Sequence, residues 1–212
     1  VDENAIKDHW ALLQKAKKAL EKNRFNDVRI LENAEEAKKE VLSLIPAGAT
    51  VGAGGSQTLK ETGITDALGK DRTIVRHSPA MGLPERREVW KKAAACDFYL
   101  ASPQAVTLDG KMFFMDKYGN RLAAVIFGPS RVVLVAGYNK IVRDEREAES
   151  RTRNVAAVKN AVRLGTKVPC VKTGECEDCS SSERICNVYL GLLKKPPATE
   201  YTVILINEEL GY

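Results

Sequence analysis

Four of the five cysteines fall at Cys170, Cys176, Cys179 and Cys186, a spacing of C-x5-C-x2-C-x6-C. Thiolates this close in sequence can surround one tetrahedral metal or the corners of a cluster. The C-x2-C pair bends back on one centre and the flanking cysteines close it. Lys172 and Arg184 stand near enough in sequence to offset the negative charge of such a site. Tetrahedral geometry suits a zinc ion held by four thiolates as well as an iron–sulfur cluster, so the spacing leaves the two open; it is not the C-x2-C-x2-C run of ferredoxins. Disulfides or free thiols are the competing reading, disfavoured in a reducing compartment. Cys96 ends an Ala-rich helical stretch and reads as a small core residue.

The second stretch with chemical potential is Thr50-Val51-Gly52-Ala53-Gly54-Gly55-Ser56-Gln57-Thr58, which reads as strand, glycine turn and helix start. Gly52, Gly54 and Gly55 would allow backbone angles that a side chain forbids, and Ser56 is the natural cap of the helix. Free N–H groups at a helix start, the positive end of its dipole and the hydroxyls of Ser56 and Thr58 make a cradle for a carboxylate or phosphate. The stretch lacks the Gly-Lys-Ser/Thr ending of a P-loop, and its spacing departs from G-x-G-x-x-G. Simple chain reversal is the alternative.

Charge to hold an anion is expected from two further places. Asp116, Asn120 and Arg121 cluster around a turn, and Asn139 and Lys140 follow a buried strand whose carboxyl end should open on the side of the glycine turn. Arg121 offers a bidentate fork, although an exposed Asp116–Arg121 pair would be only a hairpin clasp worth ~0 to 1 kcal/mol. Glu61 stands one turn inside the helix, where it would repel an anion if it faced the mouth. It is expected either to turn aside into a salt bridge or to act as the catalytic carboxylate. There is no Ser-His-Asp order, and only His9 and His77 could supply an imidazole.

These residues must be positioned by an α/β framework. Apolar residues at helical spacing (Ile6, Trp10, Leu13, Ala16, Leu20) predict an amphipathic helix over residues 4–23, with Trp10 packed and His9 facing solvent. Asp27 to Leu31 predicts a strand, and Asn33 with Glu36 has the spacing of a capping box. Strands at 73–76 and 97–101 alternate with a helix from Pro84 to Ala95, a rhythm that implies a largely parallel sheet. The rhythm then changes. Asp109-Gly110 predicts a hairpin turn, 111–116 a strand, and Leu122 to Phe127 the returning strand of an antiparallel insert. Arg131 to Ala136 and Tyr201 to Ile206 are apolar enough to lie inside the sheet. Residues 144–164 predict a long, charged and solvated helix, acidic first and basic later, as the helix dipole prefers.

The expected organisation is a helix at 1–22 and an α/β domain at 23–212 that includes a cysteine-rich lobe at 165–197. The chain of 212 residues, 44% hydrophobic, is long enough to bury a full core. Lys and Arg exceed Asp and Glu by 33 to 28, but the excess is dispersed among mixed-sign faces, which argues against nucleic acid as a partner. No stretch has the ~18 to 20 apolar residues of a membrane span, and the N-terminal residues lack the apolar core of a signal peptide. A cytoplasmic location is expected, with the reservation that Val1 is not a start methionine.

Gly54-Gly55-Ser56-x-Thr58 with Glu61 and Gly63, Thr107-x-Asp109-Gly110, Asp116-x-x-Gly119-Asn120-Arg121, Gly128-Pro129 and Gly137-x-Asn139-Lys140 together resemble the LUD (lactate utilisation) domain family from about Asn23 onward. The resemblance implies a fold like that of ribose-phosphate isomerases and CoA transferases, with a glycine turn facing the ligand. It also implies a bacterial role in oxidising lactate or a related 2-hydroxy acid, beside iron–sulfur redox partners, and this tips the cysteines toward an iron–sulfur cluster. Two functions follow. One is a redox component with a cluster in the lobe and a small carboxylate or phosphate in the cradle. The other is a transferase-like or isomerase-like enzyme with structural zinc, in which Glu61 or Asp116 serves as base or nucleophile. Oligomerisation is left open.

Overall fold

The computed structural model describes residues 3–212, with side chains from His9 onward. Its strands are β1 (Asp27–Leu31), β2 (Thr50–Ala53), β3 (Thr73–Val75), β4 (Phe98–Ala101), β5 (Ala105–Thr107), β6 (Met112–Asp116), β7 (Arg131–Gly137), β8 (Ile141–Val142), β9 (Val188–Leu192) and β10 (Glu200–Ile206). Its α-helices are α1 (Glu3–Lys22), α2 (Ala34–Leu44), α3 (Gln57–Glu61), α4 (Ile64–Leu68), α5 (Leu83–Ala94), α6 (Asn120–Ile126), α7 (Glu145–Ser150), α8 (Val158–Leu164) and α9 (Cys170–Thr173).

Six strands form one parallel sheet in the order β1-β10-β7-β4-β2-β3. β7 and β10 lie inside it and are buried on both faces, which explains their unbroken apolar runs. Alternate residues serve two layers. Val132, Leu134 and Ala136 of β7 join Leu13, Ala16 and Leu20 of α1 and Leu122 and Val125 of α6. Val133 and Val135 face the other way, toward Val41 of α2, Leu59 of α3 and Ile64 of α4. This is the two-residue period of a strand sorting side chains between helical layers. Leu13, Ala16 and Leu20 of α1 share the sheet's core, so the helix packs on the α/β domain. Trp10 packs against that core, and Ile6 lies outside the described side chains. His9 is half-buried, one face of its ring stacked on Tyr138 at 3.7 Å.

All six strands run the same way, so the loops that leave their carboxyl ends open on one side. The chain goes from β2 outward to β3 and then returns to place β4 on the other flank of β2. Strand order reverses between β2 and β4, which is where open α/β sheets form a ligand crevice.

The expected antiparallel insert is present in altered form. β5 and β6 pair antiparallel around Asp109 and Gly110, within a mixed four-stranded sheet ordered β8-β5-β6-β9. The predicted returning strand at Leu122 to Phe127 is instead helix α6. An apolar run of six residues fits either element, and here two forces favour the helix. The Asp116 carboxylate takes the Arg121 N–H at 3.0 Å, capping the first turn, and Leu122 and Val125 then fall on one buried face. The other edge of β6 is taken by β9, from the end of the cysteine-rich lobe, so that lobe is stitched into the second sheet. The long helix after Asp144 is also modified: a π-helical segment at Arg151–Ala157 separates α7 from α8.

Candidate functional site: a basic cavity at the carboxyl ends of the sheet

The glycine turn joins β2 to α3 where strand order reverses. Ser56 caps α3, its hydroxyl accepting from Leu59 N at 3.2 Å. The need for glycine differs from expectation, since neither Gly52 nor Gly54 has positive φ. Close approach is the reason. A Cβ on Gly52 would collide with the Ala93 carbonyl of α5, and one on Gly54 would sit 3.1 Å from Arg121 Cδ. Gly55 has open space where its Cβ would be. Because α3 has only five residues, its dipole contributes little, and the charge of the site comes from side chains.

Those side chains border a cavity of about 400 Å³ above the sheet. The turn supplies Gly54, Gly55, Ser56 and Thr58; the loop after β4 supplies Ser102; the start of α6 supplies Asn120 and Arg121; and a single 3-10 turn after β7 supplies Lys140. Eight of the sequence-derived candidates thus meet at one place, Asp116 included. Glu61 and Asn139 do not line it. Glu61 turns aside, accepting from Gly211 N at 2.6 Å, so its partner is a backbone amide and not the expected salt bridge. Asn139 accepts from Leu210 N and donates to Gly211 O, both at 3.2 Å. Together they fasten the C-terminal residues over Thr58, whose hydroxyl donates to Leu210 O at 3.3 Å.

Lys140 is the most constrained group in the site. It is 2% exposed, and its Nζ donates to Thr58 Oγ1 at 2.6 Å and to Ser102 Oγ at 2.8 Å. The two hydroxyls are themselves 3.2 Å apart. Burial lowers the Lys140 pKa to about 7, helped by the positive charges of Arg151 and Arg121 and opposed by Glu61. Arg151 sits in the π-helical segment, where it donates from Nε to Asn139 O at 3.0 Å and from Nη1 to Gln104 O. It thereby ties the loop after β7 to the loop after β4, and burial lowers its own pKa to about 10. π-helical turns often mark functional positions. The long helix is therefore not simply solvated.

Arg121 points inward. Its aliphatic part lies against Gly54, and its guanidinium donates to the carbonyls of Ser102 and Met115. The clasp with Asp116 does not form between side chains, because Asp116 spends its oxygens on the amides of Lys117 (2.9 Å) and Arg121 (3.0 Å). Five cationic residues line the cavity: Arg86, Lys117, Arg121, Lys140 and Arg163. Asp116 is the one acid among the lining residues, and none of the five cations takes part in an ion pair among the described residues.

Ser102, Trp90, Arg163 and Tyr212 also line the cavity, and no motif or spacing marks them for it. His77 also lines the wall, with Nδ1 accepting from Trp90 Nε1 at 3.1 Å, and burial together with Arg86 lowers its pKa. Tyr212 closes the opposite side, its hydroxyl accepting from Arg163 Nε at 2.6 Å and donating to Asn160 at 2.8 Å. The overlooked signal is positional: Ser102 and His77 follow closely after the carboxyl ends of parallel strands.

The cysteine-rich lobe borders this cavity through Thr166 and Ile185. Cys170, Cys176, Cys179 and Cys186 are half-buried, unbridged thiols. Burial and then the neighbouring thiols raise the pKa of Cys170. Arg184 braces the loop, donating to the carbonyls of Cys179 (2.6 Å) and Cys186 (3.2 Å), while Arg153 lies against Cys176. The donor set fits a thiolate-bound metal in kind and number, but among the described residues no group of three or more His, Cys, Asp or Glu side chains is gathered so as to hold a metal ion. Cys96 is a buried core residue.

A largely parallel sheet with helices on both faces and a basic crevice at its order reversal defines an open-sheet α/β protein. In overall shape it is similar to a DUF162 family protein from Deinococcus radiodurans, with a TM-score of 0.51 and 12% identity over 93% of this chain and 96% of that one. The chain belongs to the LUD (lactate utilisation) domain family, whose pattern it matches over residues 13–206. No curated protein matches it. No described helix is long and apolar enough to cross a membrane.

Proposed function

We propose that the cavity binds a small carboxylate of the 2-hydroxy or 2-oxo acid class and that Lys140 exchanges a proton with it. The supporting observation is the charge imbalance: five cationic residues, no ion pairs, one acid. Such a cavity raises the local concentration of anions and compensates their loss of water. Arg121 and Lys140 both line the cavity and both hydrogen-bond to Ser102, and a fork and a point charge together orient a planar carboxylate. A lysine titrating near neutrality is suited to general acid–base work. Phosphate would answer to the same charges, so it is the control ligand.

The cysteine lobe extends this reading. Cys170, Cys176, Cys179 and Cys186 would hold an iron–sulfur cluster, which when bound supplies one-electron transfer and makes the protein a redox component of 2-hydroxy acid oxidation, meeting other redox proteins. Support comes from the four unbridged thiols, the two arginines beside them and the shared wall at Ile185. A zinc ion in the same residues would be structural, leaving an enzyme of proton-transfer type in the cavity, a reading favoured by Lys140 alone. Metal and sulfide analysis of protein purified without oxygen separates the two, while calorimetric titration with lactate, pyruvate and phosphate tests the cavity. Lack of binding of any carboxylate would remove the proposal.

A further inference from the structure

We propose that Lys140 is a carbonyl-condensing amine, which forms an imine with the keto or aldehyde carbon of an oxo acid bound in the cavity. The inference rests on the carboxylate reading of the cavity and adds a covalent step to it.

Three features of the lysine point this way. Its Nζ has hydroxyl partners and no carboxylate partner among the described residues, so nothing anionic at bonding distance keeps it protonated. Two positive charges, Arg151 and Arg121, act on it against the single negative charge of Glu61, whose carboxylate accepts from Gly211 N and not from Nζ. A buried amine beside other cations is the arrangement that frees a lysine nucleophile near neutral pH. The third feature is valence. A neutral amine has two N–H bonds and one lone pair, and Thr58 Oγ1 at 2.6 Å and Ser102 Oγ at 2.8 Å account for the two N–H bonds. What is left is the lone pair, on a residue that lines the cavity.

The step balances without an external reagent. The Nζ lone pair forms a bond to the carbonyl carbon, the C=O electron pair moves to oxygen, and one amine proton passes to that oxygen to give a carbinolamine. Loss of the second amine proton with the hydroxyl, as water, leaves C=N. The two hydroxyls are hydrogen-bonded to Nζ and to each other, so either can relay those protons. Arg121, which lines the cavity and also hydrogen-bonds to Ser102, would hold the acid group of the same molecule, leaving the carbonyl toward Lys140. No electron leaves or enters, so the step does not depend on the cysteine lobe.

Borohydride trapping tests the proposal. The protein is incubated with pyruvate or glyoxylate, reduced with sodium borohydride, digested and mapped by mass spectrometry, with lactate as the carboxylate that has no carbonyl. The expected result is a reduced adduct on Lys140 with either oxo acid and none with lactate. It should be lost in Lys140→Met and in Lys140→Arg, the second of which keeps a cation and guards against a variant that simply fails to fold. Ser102→Ala, which removes one of the two relay hydroxyls, should slow trapping. Pyruvate that binds without an adduct at Lys140 overturns the imine and leaves the cavity reading standing. Absence of pyruvate binding overturns both. Adducts spread equally over surface lysines, and unchanged in Lys140→Met, also overturn the imine.

Discussion

Lys140 Nζ lies 2.8 Å from Ser102 Oγ, joining the loop after β7 to the loop after β4. The two residues are 38 positions apart in sequence, and only the pairing of neighbouring parallel strands, Leu100 beside Val133 and Ala101 beside Leu134, brings them together. A buried amine linked to two hydroxyls is thus a product of the sheet, and several consequences can be measured.

The first concerns stability against pH. The pKa of Lys140 falls from 10.5 to about 7 on folding, so between those values the unfolded chain binds more protons. Stability therefore rises with pH across that window, and the cost of burying the charge is greatest below pH 7. Lys140→Met should gain on the order of a few kcal/mol at pH 6, and the gain should shrink toward pH 10. Urea unfolding at pH 6 and pH 9.5 checks this; an equal effect at both would mean that Lys140 keeps an ordinary pKa.

The second separates the glycines of the turn. Gly52→Ala drives a methyl into the Ala93 carbonyl, which belongs to backbone and cannot rotate away, so a loss of about 1 to 3 kcal/mol or more is expected. Gly54→Ala meets the flexible Arg121 side chain and should leave stability nearly intact while weakening carboxylate binding. Gly55→Ala has room and should do neither. Thermal unfolding and calorimetry on the three variants would contradict the packing account if Gly52→Ala proved as stable as Gly55→Ala.

The third concerns the cysteines. If the four thiols share one centre, serine at any of Cys170, Cys176, Cys179 or Cys186 should lower the metal content of anaerobically purified protein, while Cys96→Ser should not. Brown protein containing iron and sulfide would support a cluster, and colourless protein containing zinc would support the structural alternative. Equal metal in all five variants would place the metal elsewhere.

Much of the framework is legible in the sequence, and the exceptions have physical causes. β7 and β10 are readable because a strand buried on both faces must be apolar throughout. The Ser56 cap is readable because capping is local chemistry. Helix α6 is not, since a short apolar run carries no decisive period and the capping carboxylate of Asp116 lies outside the helix. The cavity is half legible: glycines, Arg121 and Lys140 have recognisable contexts, whereas Ser102 and Tyr212 acquire their roles only through strand order and through the anchoring of the C-terminal residues by Asn139 and Glu61. Arg151 looks like one more charge on a charged helix until the π-helical segment and its two carbonyl partners are seen.

Binding of a small carboxylate between Arg121 and Lys140, as proposed, is read by calorimetric titration of pyruvate and lactate into the protein and its Lys140→Ala variant. A charge-assisted hydrogen bond is worth roughly 1.5 to 3 kcal/mol, so the variant should bind about tenfold more weakly or worse. Equal affinity in both proteins, with the variant shown to be folded, would place the carboxylate elsewhere and leave the glycine turn as a chain reversal only.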